Sequence, residues 1–192
     1  MRGIISSNNT VKKSLLILII MLFVFSLSAQ RNTKWARPVE SVTITNFFQV
    51  DDGVYRCGQP DAQGFVELEE MGIKEVLNLR NFHSDFNLAK DTKLVLHRVR
   101  MSASNSNYNE LVRALRIIKN REGPIVIHCW HGSDRTGIVI ALYRLVFQDW
   151  TKEEAVDELI NGGYGYHSIY KNIIIFIQDV DIIMLKEAVF LQ

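Results

Sequence analysis

The most informative stretch of this chain is VIHCWHGSDRTG, residues 126–137. An apolar run at residues 125–127 leads into it, and an apolar-periodic segment at residues 138–147 follows it. This order predicts a strand, a tight loop and a helix, with the loop wrapped around the helix N-terminus. Because the first N–H groups of a helix lack internal partners and the helix dipole is positive there, such a loop is suited to bind a tetrahedral oxyanion.

Two reactive side chains, Cys129 and Arg135, stand six positions apart in this loop. The positive end of the helix favours the thiolate form of Cys129, which is the nucleophilic form. The planar guanidinium of Arg135 can hold two oxygens of a phosphate. The alternative interpretation is a small buried cysteine, followed by an arginine that pairs with a neighbouring carboxylate.

The pattern His128-Cys129-x5-Arg135-Thr136-Gly137 resembles the signature loop of the cysteine-dependent protein tyrosine and dual-specificity phosphatases. The resemblance implies that Cys129 attacks phosphorus and becomes a phosphocysteine, that Arg135 binds the phosphoryl oxygens, and that water then releases phosphate. It also implies that the Thr136 hydroxyl eases departure of the thiolate and that His128 supports the reactive cysteine. The resemblance implies no metal and no other cofactor.

The other residues of the loop are expected to bind phosphate, mainly through their backbone N–H groups. The phosphate-binding candidates are Trp130, His131, Gly132, Ser133 and Thr136. Trp130 can wall the pocket or pack under the loop. His131 can meet a second anionic group when its imidazole is protonated.

Strands and helices alternate along the chain, which predicts an α/β fold with a central, largely parallel sheet flanked by helices. The expected strands cover residues 42–44, 47–50, 54–56, 75–79, 94–99 and 125–127. The expected helices cover residues 62–71, 107–120, 135–148, 151–161 and one long segment, 168–190. Over about residues 45–180 the chain resembles compact dual-specificity phosphatases, small bacterial ones first and the atypical plant and fungal branch more distantly.

The sequence lacks a general acid at the position where this family usually carries one. Members usually carry an aspartate about 30 residues before the cysteine, and residues 99–105 contain neither Asp nor Glu. Asp134, inside the loop, is the favoured substitute and resembles the Asp-Arg-Thr core of inositide-directed relatives. Asp85, after a predicted strand, is the second candidate and otherwise a supporting residue. Glu110 is the third, although it is expected to serve in a helix cap. Asp134 could instead only favour the helix N-terminus, and Asp85 could be a solvated charge.

Composition fits one globular domain. The chain has 192 residues, 47% of them hydrophobic, with 22 Lys and Arg against 21 Asp and Glu. This near balance and the lack of a basic stripe predict no binding to nucleic acid.

The N-terminus has the pattern of a signal peptide. Positive residues, the last of them Lys13, precede an apolar run at residues 15–27 and small residues that end at Ala29. We expect a signal peptide over residues 1–29, a linker and N-terminal extension over 30–44, and the phosphatase domain over 45–192. Export to the periplasm is predicted, and the mature chain is expected to have no membrane span. An uncleaved N-terminal membrane anchor is the alternative.

Export would expose both cysteines, Cys57 and Cys129, to an oxidising compartment. We expect Cys57 to be a free, partly buried thiol, with a reversible Cys57–Cys129 disulfide as the alternative. The glycine- and aromatic-rich turn at residues 162–167 either borders the active site or only connects two helices.

The sequence therefore predicts an exported phosphatase for phosphate monoesters, with a phosphorylated protein bearing phosphotyrosine as the default substrate. A phosphoinositide or another small phosphoester is the alternative substrate. Two other classes of protein stay open: a catalytically weak phosphate-binding module, which the missing upstream acid suggests, and a rhodanese-like sulfurtransferase, which also uses a loop cysteine at a helix N-terminus.

Overall fold

One mixed sheet organises the part of the chain that the computed structural model describes, residues 13, 31–105 and 107–191. Its strands are β1 (Arg37–Pro38), β2 (Phe48–Gln49), β3 (Val54–Cys57), β4 (Glu75–Arg80), β5 (Val95–Met101) and β6 (Ile125–His128). They lie in the order β1-β2-β3-β6-β4-β5. The pairings β3–β6, β6–β4 and β4–β5 are parallel, and β1–β2 and β2–β3 are antiparallel. The predicted largely parallel sheet is confirmed, with an antiparallel edge that the sequence pattern did not reveal.

Helices follow or connect these strands. They are α1 (Ala62–Glu70), α2 (Tyr108–Lys119), α3 (Asp134–Phe147), α4 (Lys152–Asn161), α5 (Lys171–Asp179) and α6 (Ile182–Phe190). All of these elements belong to one unit, Thr33–Gln192. Helix α3 is buried along nearly its whole length and packs against α2, α4, α5 and α6. Its N-terminus therefore has a fixed position at the end of β6.

The two faces of the sheet bury different hydrophobic clusters. Along β6, Val126 packs with Phe65 of α1, whereas Ile127 belongs to the larger cluster around α3. Neighbouring strand residues point to opposite faces, so a short apolar strand can serve both clusters. The strand that delivers Cys129 is consequently held from both sides.

Two elements differ from the sequence-based expectation. Residues 42–44 form a turn around the Ser41 hydroxyl, which accepts hydrogen bonds from the N–H groups of Thr43 and Ile44, so the predicted strand there is wrong. The long C-terminal helix is wrong as well. It is divided between α5 and α6, because the Asp181 carboxylate caps a new helix by accepting from the N–H of Ile183 and Met184.

The expected linker, residues 30–44, contributes to the sheet through β1. Among the described residues, no helix combines the length and the apolar character that crossing a bilayer requires. The predicted signal peptide, apart from Lys13, lies outside the described residues.

A buried ion pair ties α3 to α4. Arg144 donates from Nε and Nη2 to the two carboxylate oxygens of Glu158, both at 2.8 Å. Glu158 also accepts from the Ala36 N–H at 2.7 Å and from the Tyr164 hydroxyl at 2.9 Å. Burial by itself would raise the pKa of Glu158, but the hydrogen bonds and charge of Arg144 hold that pKa below its ordinary value.

We expect Glu158→Ala to lower the free energy of unfolding by about 3–5 kcal/mol, because it leaves the Arg144 guanidinium buried without its counter-charge. Urea denaturation measures the change. As a control, Lys186→Ala removes an exposed ion pair with Asp149 and should cost less than about 1 kcal/mol. Equal losses in the two variants would contradict the importance of the buried pair.

Candidate active site

The loop between β6 and α3 has the shape that its sequence predicts. Cys129 follows the last residue of β6 and is buried, and α3 begins at Asp134. Gly132 adopts a left-handed φ of +75°, and a Cβ at this position would collide with the backbone carbonyl of Cys57. Glycine is therefore required at residue 132 both by conformation and by space.

Donors outside the loop hold its carbonyl groups. The Gln59 N–H donates to the Trp130 carbonyl at 2.9 Å, and Asn46 Nδ2 donates to the His131 carbonyl at 2.7 Å. Arg56 Nη2 donates to the Gly132 carbonyl at 2.6 Å. In contrast, the N–H groups of residues 130–133 donate no hydrogen bond to any other described residue. Successive free N–H groups of this kind form an anion-binding cradle.

Side-chain donors add to this cradle. The Arg135 Nε and the Thr136 Oγ1 atoms are buried and have no hydrogen-bond partner within the described chain. Buried donors normally find a partner, so both atoms are suited to an anionic ligand. Cys129, the loop N–H groups, Arg135 and Thr136 thus stand together as the sequence predicted.

His128 and Asp85 lie beneath the loop as a buried pair. His128 Nε2 lies 2.9 Å from Asp85 Oδ2, and its Nδ1 lies 3.2 Å from the Cys129 carbonyl oxygen. Gln59 Nε2 donates to the other Asp85 oxygen at 3.0 Å. Burial raises the pKa of Asp85, yet the hydrogen bond and charge of His128 outweigh it and keep that pKa below its ordinary value. Asp85 therefore fixes the orientation of His128.

Asp134 lies in the first turn of α3, buried against the turn at residues 162–167. Its Oδ1 accepts from the backbone N–H of His167 and its Oδ2 contacts His167 Nδ1, both at 2.9 Å. The Ser133 hydroxyl donates to the Tyr164 carbonyl at 2.7 Å. Of the two interpretations of this turn, the structure therefore favours the one in which it borders the active site.

A cavity of about 390 Å³ opens beside the loop. Its lining combines aromatic and cationic side chains with a polar loop: Arg80, Asn81, Phe82, Met101, Ser102, Ala103, Ser104, Trp130, Arg135 and Tyr170. Trp130 is half exposed and forms part of the wall, and the Arg80 guanidinium stacks 4.3 Å from its ring centroid. Burial and the nearby Arg135 charge lower the pKa of Arg80.

The segment after β5 contributes residues 102–104 to this wall. These residues are two serines and one alanine. The segment where the family usually carries its acid therefore places no carboxylate in the cavity wall. Glu110, the third acid candidate, borders a separate groove with Arg98 and Arg113.

Sequence reasoning did not identify five contributors to the site: Asn46, Arg56, Gln59, Arg80 and His167. Arg56 and Gln59 belong to the segment Val54-Tyr55-Arg56-x-Gly58-Gln59-Pro60, which resembles the opening of the phosphatase domain, so a signal for them existed. Asn46 carries no local signal, because only the tertiary fold brings it to the loop. His167 lies in the turn at residues 162–167, which the sequence offered as a border of the active site without indicating which of its residues reaches the loop.

Both cysteines are free thiols in this structure, and both are buried. Burial raises the pKa of Cys57 well above its ordinary value, and the negative charges of Cys129 and Asp85 add to the effect. Cys57 is therefore a neutral core residue whose backbone carbonyl supports the turn at Gly132.

Comparison with known proteins agrees with this geometry. The model of the tyrosine phosphatase family matches residues 41–186. Dual specificity protein phosphatase TpbA of Pseudomonas aeruginosa is 29% identical over 163 residues, which cover 84% of this chain and 73% of TpbA. Inositol diphosphatase DSP3 of Arabidopsis thaliana is 27% identical over 154 residues, which cover 75% of this chain and 74% of DSP3.

A crystal structure of a cysteine-to-serine variant of P. aeruginosa TpbA in complex with pTyr is also similar. It has a TM-score of 0.75 and 26% identity, covering 83% of this chain and 98% of that one. The loop geometry and the match over residues 41–186 lead to one conclusion. This chain belongs to the tyrosine phosphatase family and is a cysteine-dependent phosphatase.

Proposed function

We propose that this phosphatase is exported and hydrolyses phosphate monoesters, with phosphotyrosine in proteins as its main substrate, through a phosphocysteine formed on Cys129. The observation that carries the proposal is the cradle around the cysteine. Its N–H groups, together with Arg135 Nε and Thr136 Oγ1, make no hydrogen bond to another described residue. These donors suit the equatorial oxygens of a phosphoryl group in the transition state.

The reaction has two displacements at phosphorus. In the first, the Cys129 thiolate attacks, an S–P bond forms, and the P–O bond to the leaving oxygen breaks with protonation of that oxygen. In the second, water attacks phosphorus and gives a proton to the conjugate base of the acid, the S–P bond breaks to restore the Cys129 thiolate, and phosphate leaves. The Thr136 hydroxyl is suited to donate a hydrogen bond to the departing thiolate, while Arg135 holds the phosphoryl oxygens in both steps.

Asp134 is the proton donor that we propose, with His167 as its partner. Asp134 Oδ2 lies 2.9 Å from His167 Nδ1, which is within hydrogen-bonding distance. The two oxygens of Asp85 are held by Gln59 and by the fully buried His128. Asp134 is instead held by His167, whose side chain is exposed, so Asp134 is the better placed of the two carboxylates to exchange a proton with a ligand in the loop. A general acid must reach the leaving oxygen, and Asp134 lies in the loop beside Arg135.

The aromatic wall supports phosphotyrosine as the substrate group. Phe82, Trp130 and Tyr170 line the same cavity as Arg135. Such side chains offer rings against which a phenyl phosphate can stack. The protein relative TpbA, described as a dual specificity protein phosphatase, is consistent with a phosphorylated protein as partner.

A second candidate substrate is a phosphoinositide or another small phosphoester. Arg80 lines the cavity with Arg135, so a second cation is available for a second anionic group. The plant relatives described as inositol diphosphatases agree with this alternative. The turnover of a phosphotyrosine peptide against that of an inositol polyphosphate decides between the two. A catalytically weak phosphate-binding module would bind both and turn over neither.

We expect Cys129→Ser to lower kcat by at least about 10⁴-fold on an aryl phosphate under reducing conditions, because the hydroxyl replaces the nucleophile. It should still bind a phosphotyrosine peptide, which isothermal titration calorimetry measures, since the cradle remains. Acid quenching of the parent should trap a phosphoryl group on Cys129. Cys57→Ala, which removes the other cysteine, is the matched control and should keep most of the activity. Full activity of Cys129→Ser would contradict the mechanism.

We expect Asp134→Asn to lower kcat by about 10²–10⁴-fold for an alkyl phosphate, whose leaving oxygen needs a proton. The loss should be much smaller for p-nitrophenyl phosphate, whose leaving group is a weak base. Asp85→Asn is the matched control. It removes a carboxylate beneath the loop, so its loss should be the same for both substrates. If Asp85→Asn showed the leaving-group dependence instead, Asp85 would be the acid.

The proposed export is tested by expression of the full chain in a Gram-negative bacterium. A signal peptide over residues 1–29 should yield a periplasmic protein that begins at Gln30. N-terminal sequencing of the fractionated protein checks this. A membrane-bound chain that retains residues 1–29 would instead support the N-terminal anchor.

A further inference from the structure

Three side chains of the kind that bind metal ions converge at the rim of the phosphate loop. They are His131, Asp134 and His167, and each offers a ligand atom within 4.8 Å of the others. Asp134 is buried, whereas His131 and His167 are exposed at the surface. The phosphatase mechanism proposed above uses the backbone of His131 and leaves its imidazole without a role. We refer to these three residues as the rim cluster.

The rim cluster is held in place before any ligand arrives. Asn46 Nδ2 donates to the His131 carbonyl at 2.7 Å and to the Tyr164 carbonyl at 2.9 Å, so one side chain joins the loop to the turn that carries His167. The His167 N–H fixes Asp134 by donating to its Oδ1 at 2.9 Å. Such fixation lowers the entropic cost of assembling a binding site.

The donors suit a transition metal. The ring centroids of His131 and His167 lie 5.3 Å apart, with the ring planes tilted by 49°. Within the described residues the ring nitrogens of His131 have no hydrogen-bond partner. Two imidazole nitrogens and one carboxylate oxygen form a common ligand set for Zn²⁺ and related divalent ions, whereas Mg²⁺ and Ca²⁺ prefer oxygen ligands. A water molecule would complete a tetrahedral site.

We propose that the rim cluster binds one divalent transition-metal ion of the Zn²⁺ type through His131, Asp134 and His167, and that this ion reversibly inhibits the phosphatase. The ion replaces the proton between Asp134 Oδ2 and His167 Nδ1, which is released to solvent. These two atoms, now 2.9 Å apart, need to separate by only about 0.5 Å to serve as neighbouring ligands at metal bonds of about 2.1 Å. The bond from the His167 N–H to Asp134 Oδ1 can persist and orient the ligating carboxylate.

Inhibition of the phosphatase by the bound ion rests on the proposed function, whereas binding of the ion to the rim cluster does not. An Asp134 carboxylate bound to a metal cannot donate a proton to the leaving group. The ion also joins the loop to the turn that carries His167. Binding and inhibition can therefore be tested separately.

The binding test uses Cys129→Ser, because a reactive thiolate is itself a ligand for Zn²⁺ and would compete with the rim cluster. Co²⁺ serves as the spectroscopic probe and Zn²⁺ as its competitor. We expect visible absorption typical of tetrahedral Co²⁺ with nitrogen and oxygen ligands, at one ion per chain. Adding His131→Ala or His167→Ala should weaken the affinity at least about tenfold. His97→Gln, which alters a histidine paired with Glu75 elsewhere, should leave it unchanged.

The activity test uses the parent enzyme. Zn²⁺ should inhibit hydrolysis of p-nitrophenyl phosphate, a chelator should restore it, and His167→Ala should need at least about tenfold more Zn²⁺ for the same inhibition. Equal Zn²⁺ affinity in the His131→Ala, His167→Ala and unaltered forms of Cys129→Ser would overturn the proposal. Metal binding by the rim cluster in a protein without phosphatase activity would leave the site intact and reject only the proposed function.

Discussion

The left-handed turn at Gly132, pressed against the Cys57 carbonyl, is the constraint on which the rest of the site depends. Because no side chain fits at this position, the loop can pass close to β3 and fold back onto the N-terminus of α3. This close approach directs the N–H groups of residues 130–133 away from the protein's own acceptors. A loop that bulged outward would lose both the cradle and the contact of Cys129 with the helix terminus.

A continuous polar chain couples this turn to the hydrophobic core. Arg56 donates to the Gly132 carbonyl and lies 3.6 Å from the ring centroid of Tyr164, whose hydroxyl donates to Glu158. Glu158 in turn pairs with Arg144 on α3. Burial lowers the pKa of Arg56, although Tyr164 and Glu158 oppose the effect. These contacts link the carbonyl of Gly132 to the buried ion pair between α3 and α4, so the chain fixes the loop relative to both helices.

The features that could be predicted from the sequence are those that depend on residues close together in the chain. The apolar run before Cys129, the six-residue spacing to Arg135 and the Thr151 cap of α4 each act within a few residues, so the pattern reveals them. Features that depend on tertiary contacts were missed. Asn46 reaches the loop from 85 residues away. The break before α6 was missed because its apolar periodicity continues across Asp181, and only the side-chain cap divides it.

In the mechanism that we propose, the general acid lies in the phosphate loop and not on the segment after β5. The segment after β5 reaches the cavity with Ser102 in its wall and no carboxylate, whereas Asp134 lies within the loop. An acid on a separate loop can approach and withdraw, whereas a carboxylate in the first turn of α3 is fixed, and Asp134 is held there by His167. The same arrangement that makes Asp134 available to a leaving group also makes it a ligand atom beside two imidazoles. If both proposals hold, a proton and a metal ion would compete for the Asp134 carboxylate, and metal binding would exclude its use as an acid.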